Sequence, residues 1–236
     1  MKALLITPSE SSALPLLTTL ICLACITCDT VMAEEPHAEA EAQKTEAQTE
    51  AGFTPLFNGK DMDGWKILGH QAGWSVKPGG ILRNDASEGN HNWICYNQKT
   101  FKNFILKLEW RVAPNGNSGV FLRAQKGRHP WVSGVEVQIT NAPRDASHCT
   151  GSLYGLVAVD PRPDESADVW HSYEIHCVGN RYTVIADGVT CVKSTDEHKK
   201  LLQRPLEGFI GLQDAHQKPP SYIEYRNIRI KELKSE

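Results

Sequence analysis

The chain has 236 residues and a formal net charge of −3, with 22% charged residues of both signs mixed along its length. It carries no basic stripe, which argues against a nucleic-acid partner. Beyond the N-terminal segment no apolar run could span a bilayer, and the stretch that remains is long enough to bury a substantial core.

In chain order, Lys2 supplies a short positive start, residues 13–27 an apolar stretch short for a membrane span, and Val31-Met32-Ala33 a small-residue cleavage site. Residues 1–33 therefore read as a secretion signal, with the mature chain starting near Glu34. The expected destination is the exterior, periplasm or cell envelope. Leu23-Ala24-Cys25 comes near a lipid-attachment pattern and keeps a lipoprotein open as an alternative. Residues 34–51 are Ala, Glu, Gln and Thr with almost no apolar bulk. Such a segment cannot offset its own ordering entropy and reads as a disordered acidic tether. Residues 52–236 form the one expected domain.

From residue 53 onward, short alternating runs recur with turn signals between them. They fall at 65–68, 73–76, 80–83, 92–96, 103–113, 118–124, 133–140, 154–158, 171–178, 181–186, 189–194, 207–213 and 221–233. Gly179-Asn180 and Asp187-Gly188 suit tight hairpins, because these residues accept positive φ cheaply. Residues 195–203 are the one helical candidate. The pattern predicts an all-β protein, an antiparallel two-sheet β-sandwich. Outside the signal the cysteines are Cys95, Cys149, Cys177 and Cys191, with no CxxC pair to suggest zinc. Cys177 and Cys191 would sit two strands apart, roughly 10 Å, too far for a disulfide. Free buried thiols are expected.

The run 134–140 alternates Val135, Val137 and Ile139 with Glu136, Gln138 and Thr140. Side chains change face at every residue of a strand, so a carboxylate and an amide share one side. In 118–124, Val120 and Leu122 form the apolar pair, opposite Phe121 and Arg123. In 208–216, Ile210 and Leu212 oppose Phe209, Gly211 and Gln213. If the apolar residues share a core, Arg123, Glu136, Gln138 and Gln213 share the other face. Such planar polar groups suit a hydroxyl-rich ligand. Trp65, Trp74, Trp93, Trp131 and Tyr154 are candidates to stack on a sugar, with core packing the competing reading for each.

Several pieces, taken in order, follow the pattern of one known family. FTPLFNGKDMDGW (53–65) is similar to its opening F-x-x-L-F-N-G-K-D-L-x-G-W. Asn117-Ser118-Gly119 through Arg123 matches NSG-x-x-x-R, and Gly134 through Ile139 resembles G-Y-E-x-Q-I. Thr150-Gly151-Ser152-Leu153-Tyr154 matches T-G-x-x-Y, and Gly211-Leu212-Gln213-Asp214 with Tyr225 through Ile230 matches its close. Together these pieces resemble the 3-keto-disaccharide hydrolase domain family, and the resemblance implies a concanavalin A-like jelly roll holding carbohydrate on a curved sheet. Asn117, Gln138, Gln213, Tyr154, Trp65 and Trp131 become candidate substrate contacts. There are departures: Trp170-His171 replaces the usual Trp-Asn, Val135 stands where an aromatic is common, and Ala215 moves His216 one place beyond the usual Leu-Gln-(Asp/Asn)-His.

A retaining glycosidase needs two carboxyls roughly 5–5.5 Å apart. Two places beyond Glu136 stands Gln138, which cannot be a nucleophile or titrating acid. A 3-keto sugar needs less, because its ketone acidifies the proton on carbon 2. One base and one electrophile then suffice for elimination of the aglycone, with water adding back. Glu136 is the candidate base, Arg123 the candidate oxyanion stabiliser and His216 a proton carrier. A divalent metal could serve as the electrophile, with Glu136, His148 and His216 as candidate ligands. The alternatives are a non-catalytic glycan-binding module on the cell surface and a purely structural sandwich.

Overall fold

The computed structural model describes residues 50–69, 73–87 and 92–234. The expected signal, and the tether up to residue 49, lie outside the described residues. At the tether's end, Glu50 pairs with Lys107 at 2.5 Å and Arg229 at 2.9 Å.

Among the described residues the strands are β1 (Thr54–Pro55), β2 (Trp65–Gly69), β3 (Trp74–Lys77), β4 (Ile81–Asp85), β5 (Asn92–Phe101), β6 (Phe104–Val112), β7 (Asn117–Ala124), β8 (Val135–Thr140), β9 (His171–Val178), β10 (Arg181–Ala186), β11 (Val189–Lys193), β12 (Gly208–Gln213) and β13 (Tyr222–Glu232), with one four-residue helix, α1 (Pro130–Ser133). They form two antiparallel sheets. The larger runs β11-β10-β9-β6-β13-β4-β3, with β1 on β13; the smaller runs β2-β5-β12-β7-β8. The expected all-β antiparallel sandwich is what forms.

Alternation explains the core. Phe104, Leu106, Leu108, Trp110 and Val112 of β6 are buried against Val120 and Leu122 of β7 and Val135, Val137 and Ile139 of β8 in one cluster. The outer face of β6 carries ion pairs instead: Lys107 with Glu174 at 3.1 Å, Glu109 with Arg226 at 2.6 Å and Arg111 with Glu224 at 2.5 Å. Asp187 (φ 47°) and Gly188 (φ 78°) make the β10–β11 turn, the left-handed pair a two-residue hairpin requires. The four cysteines outside the signal are free and buried.

Two local expectations are corrected. Residues 195–203 form turns, not a helix; Leu201 is buried but Leu202 is among the exposed apolar side chains, so no apolar stripe supports helical packing. Residues 154–158 are not a strand. They form a turn whose one ladder contact is Leu153 with Val157, and Leu153 also bridges Val137. That segment caps the edge of β8 through Gln138 N–H to Ser152 O at 3.0 Å and Tyr154 N–H to Glu136 O at 2.9 Å. The edge is thereby satisfied, and every residue of β8 is buried on both faces.

Candidate active site

The site lies on the face of the five-stranded sheet that points away from the core. Register builds it: Glu136 stands opposite Phe121, Gln138 opposite Gly119, and Gly211 opposite Phe121. Two tyrosines of the larger sheet reach across the core to pin this backbone. Tyr173 donates to Gln138 O at 2.6 Å, and Tyr225 lies 2.8 Å from Ser118 Oγ, which donates to Gln213 O at 2.9 Å.

The result is a cavity of about 460 Å³ lined by Asn117, His129, Trp131, Glu136, Gln138, Tyr154, Gln213 and His216, a size that suits a small-molecule ligand. Its floor is polar and its rim aromatic. Glu136 is only 6% exposed and Gln138 only 2%, so the polar face of β8 is not a solvent face. Gln138 Nε2 donates to Asn117 Oδ1 at 2.6 Å. The Oε1 atoms of Gln138 and Gln213 are buried without a protein partner. Buried acceptors left open cost stability, and here both belong to residues of the cavity wall.

Burial lifts the Glu136 carboxyl to about 7, while the nearby His216 pulls the other way. Asp214, whose Oδ1 lies 3.6 Å from His216 Nδ1, is the main cause holding His216 above the ordinary imidazole value; Glu136 adds to it and burial opposes. Two titratable groups of one pocket are thus both shifted upward, Glu136 to about 7 by burial and His216 chiefly by Asp214, and perturbed pairs of this kind are common in acid–base sites.

Gly119 explains how a carboxylate fits into a packed strand face. A Cβ at this position would lie 2.6 Å from Glu136 Oε1 and 3.0 Å from its Cγ. The glycine of the Asn117-Ser118-Gly119 motif is the space Glu136 occupies. Gly119→Ala is therefore expected to fold, since the obstructing atom ends a flexible side chain, and to lose activity by roughly tenfold or more through displacement of the carboxylate. Turnover beside a thermal melt checks this; a folded variant of native activity would contradict it.

The structure brings Glu136, Gln138, Gln213, Asn117, Tyr154, Trp131 and His216 together. The extra Ala215 does not carry His216 away. Arg123 is corrected. It is fully buried and donates to Lys102 O at 3.0 Å, Gly179 O at 2.7 Å and Tyr182 Oη at 3.2 Å. The cause is local: Arg123 has φ 55°, and the β7–β12 register shifts beside it. A residue in the left-handed region breaks the alternation, so the guanidinium leaves the sheet face for the far sheet.

Trp65 is corrected too. It packs in the core, donates to Leu56 O at 2.8 Å and meets Tyr96 edge-on. Trp74 is likewise core, its Nε1 donating to Asn92 Oδ1 at 2.7 Å. Trp93 covers Gly211 and meets Phe121 edge-on. His148 does not line the cavity; it pairs with Asp145 at 2.9 Å and meets Tyr154 edge-on. Glu136 and His216 thus lack it as a third ligand, and among the described residues no three His, Cys, Asp or Glu side chains gather to hold a metal ion. His129 escaped the sequence reading. It lines the cavity and stacks on Trp131 at 4.7 Å; its placement just before Pro130 and α1 left no periodic signal.

Comparison with known proteins agrees with the architecture. A family profile described as a 3-keto-alpha-glucoside-1,2-lyase-like domain matches residues 52–231. A 3-keto-disaccharide hydrolase of Bacteroides thetaiotaomicron is 27% identical over 233 residues, covering 77% of this chain and 79% of that protein. A candidate glycosyl hydrolase from Parabacteroides distasonis superposes with a TM-score of 0.67 at 22% identity, over 82% of this chain and 97% of its own. A β-glucanase of Bacillus licheniformis superposes at 0.52 and 14% identity, over 78% of this chain and 100% of its own. The last two likenesses show the jelly-roll fold.

Proposed function

The chain belongs to the 3-keto-α-glucoside-1,2-lyase-like family, and from that premise we propose that it cleaves the glycosidic bond of a 3-keto sugar. The observation that carries the reading is one buried carboxyl, Glu136, poised near 7 beside His216, with Gln138 where a second carboxyl would stand. An ordinary glycosidase needs the pair; a 3-keto sugar needs one base.

Glu136 removes the proton on carbon 2. The C2–H electron pair moves into the C2–C3 bond and the ketone becomes an enolate. The amide N–H groups of Asn117 and Gln213, both in the cavity wall, are the donors available to that oxygen in place of Arg123. The enolate then re-forms the ketone, the C1–C2 double bond forms and the C1–O bond breaks, the leaving oxygen taking a proton from His216. Water adding to carbon 1, with a proton returned to carbon 2, converts elimination into net hydrolysis. Trp131, 43% exposed, and Tyr154 offer aromatic faces at the rim for the sugar or its leaving group.

The pH dependence follows. Glu136 acts as a base only when ionised, so activity rises as pH climbs through about 7. His216 donates only when protonated, so activity falls again once pH passes its raised value. The profile is a bell whose two limbs belong to the coupled pair. The test is incubation with a 3-keto-glucoside and its unoxidised parent across pH, with and without chelator. Release from the keto sugar alone, on a bell, is expected, and loss on chelation would add a divalent ion. Release from both would indicate an ordinary glycosidase, and binding without release a glycan-binding module.

The reading includes export of the chain, supported by Lys2, the apolar residues 13–27 and Val31-Met32-Ala33. N-terminal sequencing of protein recovered outside the cytoplasm should read from Glu34; an intact Met1 there would refute the cleaved signal.

A further inference from the structure

Alternation along β4 turns Leu82 and Asn84 inward, and both are fully buried. Leu82 belongs to the core cluster. Asn84 occupies a position that an apolar side chain would fill at less cost, since a buried amide is unfavourable unless its hydrogen bonds are made. Half of them are not: Nδ2 has no protein partner. The other half reaches the opposite sheet, where Oδ1 accepts the Ala215 N–H at 2.9 Å.

That contact falls in the segment that delivers His216 to the cavity. Asp214 is tied to β5, its carboxylate accepting the Asn92 N–H at 3.2 Å, while Asn92 Oδ1 accepts from Trp74 Nε1. His216 is tied to β7, its N–H donating to Asn117 O at 2.9 Å. Between these anchors lies Ala215, itself buried, and its N–H is answered by Asn84. The residue that displaces His216 from the family spacing is thus the one Asn84 holds.

We propose that Asn84 is a positioning residue for His216, acting across the sandwich core by fixing the turn of the chain at Ala215. Without its Oδ1 the Ala215 N–H is buried and unanswered. The segment must then turn to find a partner, and the imidazole leaves its place beside Glu136. The catalytic consequence rests on the reading of His216 as the proton donor.

The test uses full-length Asn84→Ala and Asn84→Ser, of which either folded variant serves. Two quantities are measured: kcat and KM on a 3-keto-glucoside, and the histidine ring resonances of ¹⁵N-labelled protein. Expected are a fall in kcat of roughly tenfold or more with KM little changed, and displaced or broadened His216 ring signals while those of His171 and His176, on the larger sheet, stay. Native kcat, or unmoved His216 signals in a folded variant, would overturn the proposal. So would failure of both variants to fold, which would make Asn84 a core residue only. If the native protein releases nothing from keto sugars, the proposed function fails, while the ring spectrum still decides the positioning.

Discussion

Glu136→Gln is expected to cut aglycone release from a 3-keto-glycoside roughly 10²–10⁴-fold and, at the same time, to make the domain more stable at alkaline pH. The two effects share a cause. The carboxyl is desolvated, which lifts it from an ordinary 4.5 to about 7 in the fold. A folded-state value above the unfolded one means that the native state holds the proton more tightly. The stabilising contribution is complete below about 4.5 and is lost as pH rises through about 7, where the buried group must ionise. Glutamine fills the same space without that penalty, worth on the order of 3 kcal/mol. Melts of native and variant protein should coincide near pH 4 and separate by pH 8, the variant being the more stable. Activity within tenfold of native would point to another base, and melts that stay together at pH 8 would mean that the carboxyl is better solvated than its burial indicates.

Arg123→Leu is expected to destabilise the domain by on the order of 3 kcal/mol or more. The side chain donates to two backbone carbonyls and a phenol in the interior, with Lys102 O accepting from both Nε and Nη2. Removing it leaves all three acceptors buried. Arg123→Lys should recover little, because a single ammonium cannot reproduce the planar fork that spans Lys102 and Gly179. Chemical denaturation decides. A Leu variant of native stability that has lost only kcat would return Arg123 to the site as an oxyanion residue.

The two residues mark where sequence reading works here and where it stops. Glu136 and Gln138 lie on one face because they are two apart in an unbroken strand, and that inference needed nothing beyond the pleat. Gln213 followed in the same way from β12. Arg123 obeyed the same arithmetic on paper but sits at φ 55° beside a register shift. Trp65 and Trp131 are chemically alike in the sequence, yet one is core and the other is cavity rim. Asn84 reads as one polar residue in a short strand until its acceptor is seen across the core, 131 positions from Ala215.

The sequence by itself determined the sandwich, its strands to within a few residues apart from the short β1 and the turn at 154–158, and the shared polar face of β8 and β12. These depend on periodicity and turn chemistry, which are local. Tertiary structure alone decided that this face is the buried floor of a cavity and not an exposed surface, that Gly119 makes room for Glu136, that Arg123 braces the interior, and that Asn84 reaches Ala215. Each depends on strand pairing, register and burial between residues distant in the chain, and no local rule of alternation contains them.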